Sequence, residues 1–322
     1  MVLKEYRAAD GRLIRYDGLS QLPADAGRPV WIDMLEPSPT EERQVETSLG
    51  IDVPTREEMQ EIELSSRLYE EDNALFMTIS VLHKATSDEP ESSAVTFILT
   101  KDTLVTLRYA DPLPFQTLTR KIERSPGLGG SAETILSGLI DQIVDRLADI
   151  MEACVIDLEA ISRSVFVKGD EDDGPDYKEV MRRIGRVGDL ATKAKDSLLS
   201  LNRMVLFLSS QTRVSKETRM RLKTLSRDVL SITEHANFVA NKVTFLLDAT
   251  LGLINIEQNN IIKIFSVAAV AFLPPTLIAS IYGMNFHFLP ELEWVFGYPL
   301  ALGLMVLSAV VPFWYFKRKG WL

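Results

Sequence analysis

Cysteine is almost absent from this chain of 322 residues, where Cys154 stands alone. A single thiol forms no intrachain disulfide, so packing must hold the fold, and a reducing compartment suits it. Histidine is nearly as scarce. With only His83, His235 and His287, a rich Cys/His metal cage within one chain is excluded. Basic residues are outnumbered, 35 Lys and Arg against 45 Asp and Glu, for a net charge of −10. Nucleic acid is therefore not an expected partner, because phosphate binding needs clustered cations. An acidic body suits the gathering of cations, or simply an acidic, well-solvated surface. No Gly-x-Ser-x-Gly, His-Glu-x-x-His or phosphate-loop pattern occurs, so no enzyme is expected. The first thirty residues mix Lys4, Glu5, Arg7, Asp10 and Arg12 with no apolar run, and no secretory signal is expected there.

Charge is also missing from two particular places. Residues 264–286 and 298–316 contain no Asp, Glu, Lys or Arg. A bilayer core about 30 Å thick takes roughly 20 apolar residues as a helix, and both runs meet that length. Trp294, Tyr298, Trp314, Tyr315 and Trp321 sit at the run ends, where amphipathic rings favour the membrane interface. Lys263 precedes the first run and Lys317-Arg318-Lys319 follows the second. Residues 287–297 between them hold Glu291 and Glu293 and no Lys or Arg. The excess of cations on one side predicts cytosolic termini and an external acidic loop. Two spans cannot enclose a water path, so an ion pathway built this way requires a ring of several copies.

The rest divides by pattern. Residues 1–125 read as mixed α/β: 30–35, 74–82, 94–100 and 103–108 are strand-like, Lys101-Asp102 marks a tight hairpin, and Pro37-Ser38-Pro39-Thr40-Glu41-Glu42 marks a helix start. No proline occurs between Pro175 and Pro274. Residues 131–168 and 176–209 read as two long helices, with the acidic residues Asp170, Glu171, Asp172 and Asp173 at a solvated tip between them. A third helix is expected from about Ser215 into the first span. Some 65 residues at 1.5 Å each make a rod of about 100 Å, which implies a stalk.

That third helix carries a stripe. Counting back from Ser280 alternately by four and three residues gives Thr276, Leu273, Ala269, Ser266, Ile262, Asn259, Asn255, Gly252 and Asp248. A mean spacing of 3.5 keeps one face toward a common axis when parallel helices wrap one another. The face is small or polar at most steps and apolar at Ile262, Ala269 and Leu273. It reads as a pore lining in which Ile262 and Leu273 oppose ion passage by dewetting. Small residues also serve helix packing in membranes, which is the competing reading. Pro274-Pro275 leaves the carbonyls of Val270 and Ala271 without helix partners and predicts a bend, whether a tolerated kink or a hinge.

Several segments together resemble one family. Tyr282-Gly283-Met284-Asn285, the following Phe286, Leu289-Pro290-Glu291-Leu292 and the basic Lys317-Arg318-Lys319 before Trp321-Leu322 are similar to the CorA magnesium transporters. The likeness extends upstream through Ile254-Asn255-Ile256-Glu257-Gln258-Asn259 and Phe272-Leu273-Pro274-Pro275-Thr276. Leu289 departs from the family, which often has Met there. The resemblance implies a homopentameric channel of the inner (cytoplasmic) membrane. Its parts would be an α/β cytosolic domain over 1–130, a helical funnel and stalk over 131–260, and a membrane domain over 261–322. Within that last part the resemblance implies a first span at about 261–284, an outer loop at 285–297, a second span at about 298–316 and a basic cytosolic tail at 317–322.

The same resemblance implies that Gly283, Met284 and Asn285 form the selectivity ring, with Asn285 holding hydrated Mg2+ through its water. Thr276, Asn259 and Asp248 fall on pore-lining positions. Co2+ or Ni2+ are further candidate cargo. It also implies gating by cytosolic Mg2+ at carboxylates between neighbouring subunits, for which Asp88, Glu89, Glu91, Asp228 and Glu234 are candidates, while Asp248 is a candidate metal contact in the pore. The chemistry agrees. Mg2+ sheds water reluctantly, and neutral amide oxygens accept hydrogen bonds from that water without the tight grip of a carboxylate ring. Glu291 and Glu293 would gather divalent cations outside.

Three rivals remain. A zinc transporter of the same superfamily shares the plan, but the scarcity of His and Cys leans toward an oxygen-liking ion. A nucleotide-binding protein would use Gly127-Leu128-Gly129-Gly130-Ser131-Ala132, yet that run follows an expected helix rather than a strand, and Ser131 is expected to cap the next helix. A membrane-anchored scaffold has no use for Ser266, Thr276 and Ser280 on one face.

Overall fold

The computed structural model describes residues 2–9, 12–17, 29–61, 63–87, 89–124, 129–166, 175–285 and 294–320. The alternating and apolar segments of the first third form a sheet of seven strands among these residues: β1 (Val2–Ala9), β2 (Arg12–Asp17), β3 (Pro29–Leu35), β4 (Leu68–Glu71), β5 (Ala74–His83), β6 (Glu91–Leu99) and β7 (Leu104–Arg108). Their order is β2-β1-β3-β7-β6-β5-β4, antiparallel throughout except for the parallel pair β3 and β7.

β3, β5, β6 and β7 were expected from their Val, Ile, Phe and Thr content; β1, β2 and β4 were not. The first two carry Lys4, Glu5, Arg7, Arg12, Arg15 and Asp17, which masks the alternation, although Ala9 and Arg12 pair across Asp-Gly, a hairpin dipeptide. Glu71 and Ala74 pair likewise, across Asp72 and Asn73, whose φ of 47° and 60° belong to a turn with both central residues left-handed.

α1 (Pro39–Leu49) starts where Ser38 accepts from the Glu41 amide at 3.4 Å while the Glu41 carboxylate accepts from the Ser38 amide at 2.8 Å. It ends on Gly50 at φ 66°, a conformation that costs a glycine little. α1 covers one face of the sheet, where Val45, Ile51, Val53 and Met59 pack on Ile32, Met34, Phe76, Ile98, Val105 and Leu107. Between α1 and β4 lie the 3-10 turn Glu58–Gln60, which carries Met59, and the short α2 (Leu64–Arg67). α3 (Leu113–Arg124), α4 (Ala132–Phe166) and α5 (Tyr177–Ser210) are also packed, α3 on α4 and α5 on β5.

β7 is buried at every residue, including a cation. Arg108 donates from Nε to Asp33 Oδ1 at 2.9 Å, from one terminal nitrogen to Asp33 Oδ2 at 2.8 Å and from the other to Asp111 Oδ1 at 2.6 Å. Thr106 donates to Asp33 at 2.9 Å and Trp31 Nε1 to Thr106 at 3.0 Å, while the Phe115 ring lies 4.5 Å from the guanidinium carbon. Burial alone would lower the Arg108 pKa. The hydrogen bond and charge of Asp33, with those of Asp111, outweigh it and hold it above its ordinary value.

Ser131 accepts from the Thr134 amide at 3.2 Å and so caps α4, whose buried side chains recur at helical spacing through Ile135, Leu139, Ile143, Leu147, Ile150, Cys154, Leu158 and Ile161. The acidic tip expected at Asp170–Asp173 lies outside the described residues. α6 (Lys216–Tyr282) runs without a break in its helical backbone through Pro274-Pro275, and α7 (Gly297–Arg318) follows. The chain divides inside α6 into two compact units, Met1–Leu247 and Asp248–Leu322. In the first, α6 buries Leu222, Leu225, Val229, Ala236, Val239 and Leu246 as one stripe. A Cβ on Gly188 of α5 would stand 3.3 Å from the Val243 side chain, so the two helices approach closely there. α6 and α7 are both long and apolar enough to cross a membrane.

Candidate ion-conduction site

Within the second unit, α6 shows two contrasting faces. Val267 is buried, and Ala271, Pro274, Ile278 and Tyr282 are half-buried, four positions that follow it at steps of four and three. Ser266, Ala269, Leu273, Thr276 and Ser280 lie roughly half a turn away at 100° per residue. Of these, Ser266 is half-buried and the others are exposed, Leu273 at 65%. Further back on the same stripe Ile262, Asn259, Asn255, Gly252 and Asp248 are exposed too. The polar stripe thus lies away from the face that the chain itself covers.

Two hydroxyls on the stripe have a local partner. Ser266 Oγ donates to the Ile262 carbonyl and Thr276 Oγ1 to the Phe272 carbonyl, both at 2.7 Å. Such back-bonding is how a helix interior accommodates Ser and Thr. Asp248, Asn255 and Asn259 make no hydrogen bond or ion pair among the described residues.

Gly283, Met284 and Asn285 close the last turn. The Gly283 amide donates to the Ala279 carbonyl at 2.9 Å and the Met284 amide to Ile281 at 3.3 Å. A Cβ on Gly283 would come within 3.1 Å of the Ala279 carbonyl oxygen, so any other residue would have to push that backbone by a few tenths of an ångström. Met284 and Asn285 are exposed at the carbonyl end of α6, where the aligned peptide dipoles are negative and favour a cation. Trp294, Tyr298, Trp314 and Tyr315 are exposed at the ends of the two apolar runs. Glu291 and Glu293 lie outside the described residues.

Residues 26–318 match the family model described as CorA-like Mg2+ transporter protein. The chain belongs to this family. It is 38% identical over 309 residues to the magnesium transport protein CorA of Escherichia coli K12, covering 94% of this chain and 96% of that one. Its fold matches the CorA magnesium transporter from Methanocaldococcus jannaschii with a TM-score of 0.78 at 21% identity, over 100% of this chain and 99% of that chain. The cytoplasmic domain of ZntB from Vibrio parahaemolyticus matches less well, with a TM-score of 0.55 at 10% identity over 79% of this chain and 98% of that domain. The relatives are named as transport proteins, not enzymes.

The carboxylates expected to meet between neighbouring subunits can be placed only within one chain of this CorA-like protein. Asp88 lies outside the described residues. Glu89, Asp228 and Glu234 are exposed, and Glu91 pairs with Lys84 at 2.9 Å, which holds its carboxyl below the usual range. No group of three or more His, Cys, Asp or Glu stands ready for a metal among the described residues. A cleft of about 870 Å³ is in the first unit near Glu36, Arg56, His83 and Tyr109, and two of its carboxylates are already engaged, Glu91 by Lys84 and Asp111 by Arg108 and Gln116. The glycine run proposed for a nucleotide follows the helix α3, and its Ser131 is spent as a cap.

One arrangement escaped the sequence. Arg186 donates to the carbonyls of Thr86 and Ser87 at 3.2 and 3.0 Å, and Lys193 to that of Pro90 at 2.6 Å. Two α5 cations therefore hold the backbone leading from β5 to β6, the segment that includes Glu89. Backbone acceptors leave no trace in composition, so no sequence signal marks this clamp.

Proposed function

We propose that the chain conducts Mg2+ across the cytoplasmic membrane as a homopentamer, with α6 of each copy facing a shared axis and both termini in the cytosol. Residues 1–130 would form the cytosolic α/β domain, 131–260 the funnel and stalk, and 261–322 the membrane domain. The observation that carries the reading is the polar stripe from Asp248 to Ser280, set on the α6 face that the chain leaves uncovered and ending at Gly283-Met284-Asn285. Hydrated Mg2+ is held at the mouth by Asn285 amides and the negative helix ends. It then passes the Leu273 and Ile262 constrictions toward Asn259, Asn255 and Asp248. Glu291 and Glu293 raise the local cation concentration outside, and cytosolic Mg2+ bound at carboxylates, with Asp88, Glu89 and Asp248 as candidates, closes the channel. Co2+ and Ni2+ share the path as lesser cargo. The family membership favours Mg2+ over Zn2+ as the principal ion.

The test is Mg2+ flux into dye-loaded liposomes over a range of internal Mg2+, with Zn2+ run in parallel. Asn285→Ala should reduce selective Mg2+ uptake by at least about tenfold, roughly 1.4 kcal/mol, while the oligomer stays intact. Unchanged uptake removes Asn285 from its role, and a monomer in detergent removes the shared axis.

A further inference from the structure

From Leu300 to its C-terminal end, α7 changes chemistry in steps along one side. Leu300, Leu304, Leu307 and Val311 stand exposed at spacings of three and four residues. Trp314 and Tyr315 follow, both more than half exposed, and then Arg318 and Lys319. The Arg318 guanidinium carbon lies 4.6 Å from the centre of the Trp314 ring, and the Lys319 ammonium 5.4 Å from that of Tyr315. Both cations are thus folded back one turn over rings instead of reaching away along the helix axis. The half-buried side of α7, formed by Met305, Ala309, Pro312 and Phe316 after buried Ala301, lies about 150° round the helix from the Leu307–Arg318 line. From Leu307 to Arg318 the rise is about 16 Å, close to half of a hydrocarbon core of about 30 Å.

We propose that this stripe is a binding site for an anionic phospholipid of the cytosolic leaflet. The acyl chains lie along Leu307 and Val311, the glycerol region meets Trp314 and Tyr315, and the phosphate sits on Arg318 and Lys319. The site rests on the two-span orientation of the proposed function. A cation held over a ring keeps its outer side free, and a guanidinium there offers paired donors to phosphate oxygens. The graded order of apolar, aromatic and cationic groups within one leaflet's thickness matches a lipid. It does not match a span from a second copy, because the charge-free runs 264–286 and 298–316 bring no anion to meet Arg318.

The test titrates the full-length protein in detergent with phosphatidylglycerol and, separately, with phosphatidylcholine of the same chains, counting retained lipids by native mass spectrometry. Phosphatidylglycerol should be preferred, and the double substitution Arg318→Gln with Lys319→Gln should weaken it about twenty-fivefold, some fivefold per cation, with phosphatidylcholine unchanged. Trp314→Leu with Tyr315→Leu keeps both charges and should weaken phosphatidylglycerol by about two- to fivefold. Equal retention of the two lipids, or no response to the charge substitutions, overturns the proposal. Displacement by glycerol 1-phosphate overturns it too, since the site would then take a free phosphate. Mg2+ uptake measured on the same wild-type preparation separates the two readings. Normal uptake without lipid preference sinks the lipid site alone, and lipid preference without uptake sinks the channel alone.

Discussion

Asp33 and Thr276 are both polar side chains set among large apolar neighbours, and the two units treat them oppositely. Asp33, in the sheet, is 2% exposed and accepts from Arg108 and Thr106, which in turn link to Asp111 and Trp31. Thr276, on α6, is exposed and donates its hydroxyl to the Phe272 carbonyl of its own helix. In the first unit every member of the polar network is answered from within the chain, as burial demands. In the second the polarity is left facing outward, so its partner must be water, an ion or another copy. The contrast sets a self-satisfied sheet beside a helix face that the proposed function uses for transport, and substitutions can separate the two.

The largest expected effect on stability is at Asp33→Ala, which strands a buried guanidinium and should cost about 3–5 kcal/mol. Denaturant unfolding of the full chain in detergent measures it, and a loss under about 1 kcal/mol would erase the contrast from one side. Thr276→Val, by comparison, should shift stability by no more than about 0.5 kcal/mol while changing Mg2+ flux severalfold. A large stability loss with normal flux would erase it from the other side.

Leu273→Ser comes next. Replacing an apolar ring by hydroxyls lowers the dewetting barrier, so Mg2+ leak at high internal Mg2+ should rise severalfold in the liposome assay. No change in leak would place the constriction elsewhere. The smallest effect concerns pH and the first unit alone. Burial holds the pKa of His83 below its ordinary value, against the weaker upward pull of Glu91. The native state therefore binds fewer protons than the unfolded chain, and stability falls as pH drops from about 6.5 toward the lower native value. His83→Gln should flatten that slope in unfolding midpoints taken between about pH 5 and 8. An unaltered slope would assign it to another group.

Much of this was legible in the sequence because it is local or periodic. Strands β5 to β7 announce themselves by Val, Ile, Phe and Thr, Ser38 and Glu41 by their spacing, and α6 by a stripe that repeats every three or four residues. What escaped is long-range. Nothing near Asp33 says that Arg108 will reach it from the neighbouring parallel strand, and nothing near Pro90 names Lys193. The hairpin of β1 and β2 escaped for another reason, since its charged residues blur the alternation, as is common near a sheet edge such as β2. The candidate site was legible because a helix turns linear spacing into a face. The expected regulatory carboxylates are scattered through loops and helices with no such rule to join them.

The back-bonded hydroxyls of Ser266 and Thr276 have a further consequence for a conduit lined by them. Each has given its proton to a carbonyl of its own helix and turns only lone pairs outward. Water around a cation points its hydrogens away from the ion, whereas water around an anion points its oxygens away. A wall of acceptors without donors therefore welcomes the first hydration shell and rebuffs the second, sorting ions by sign with no formal charge at those positions.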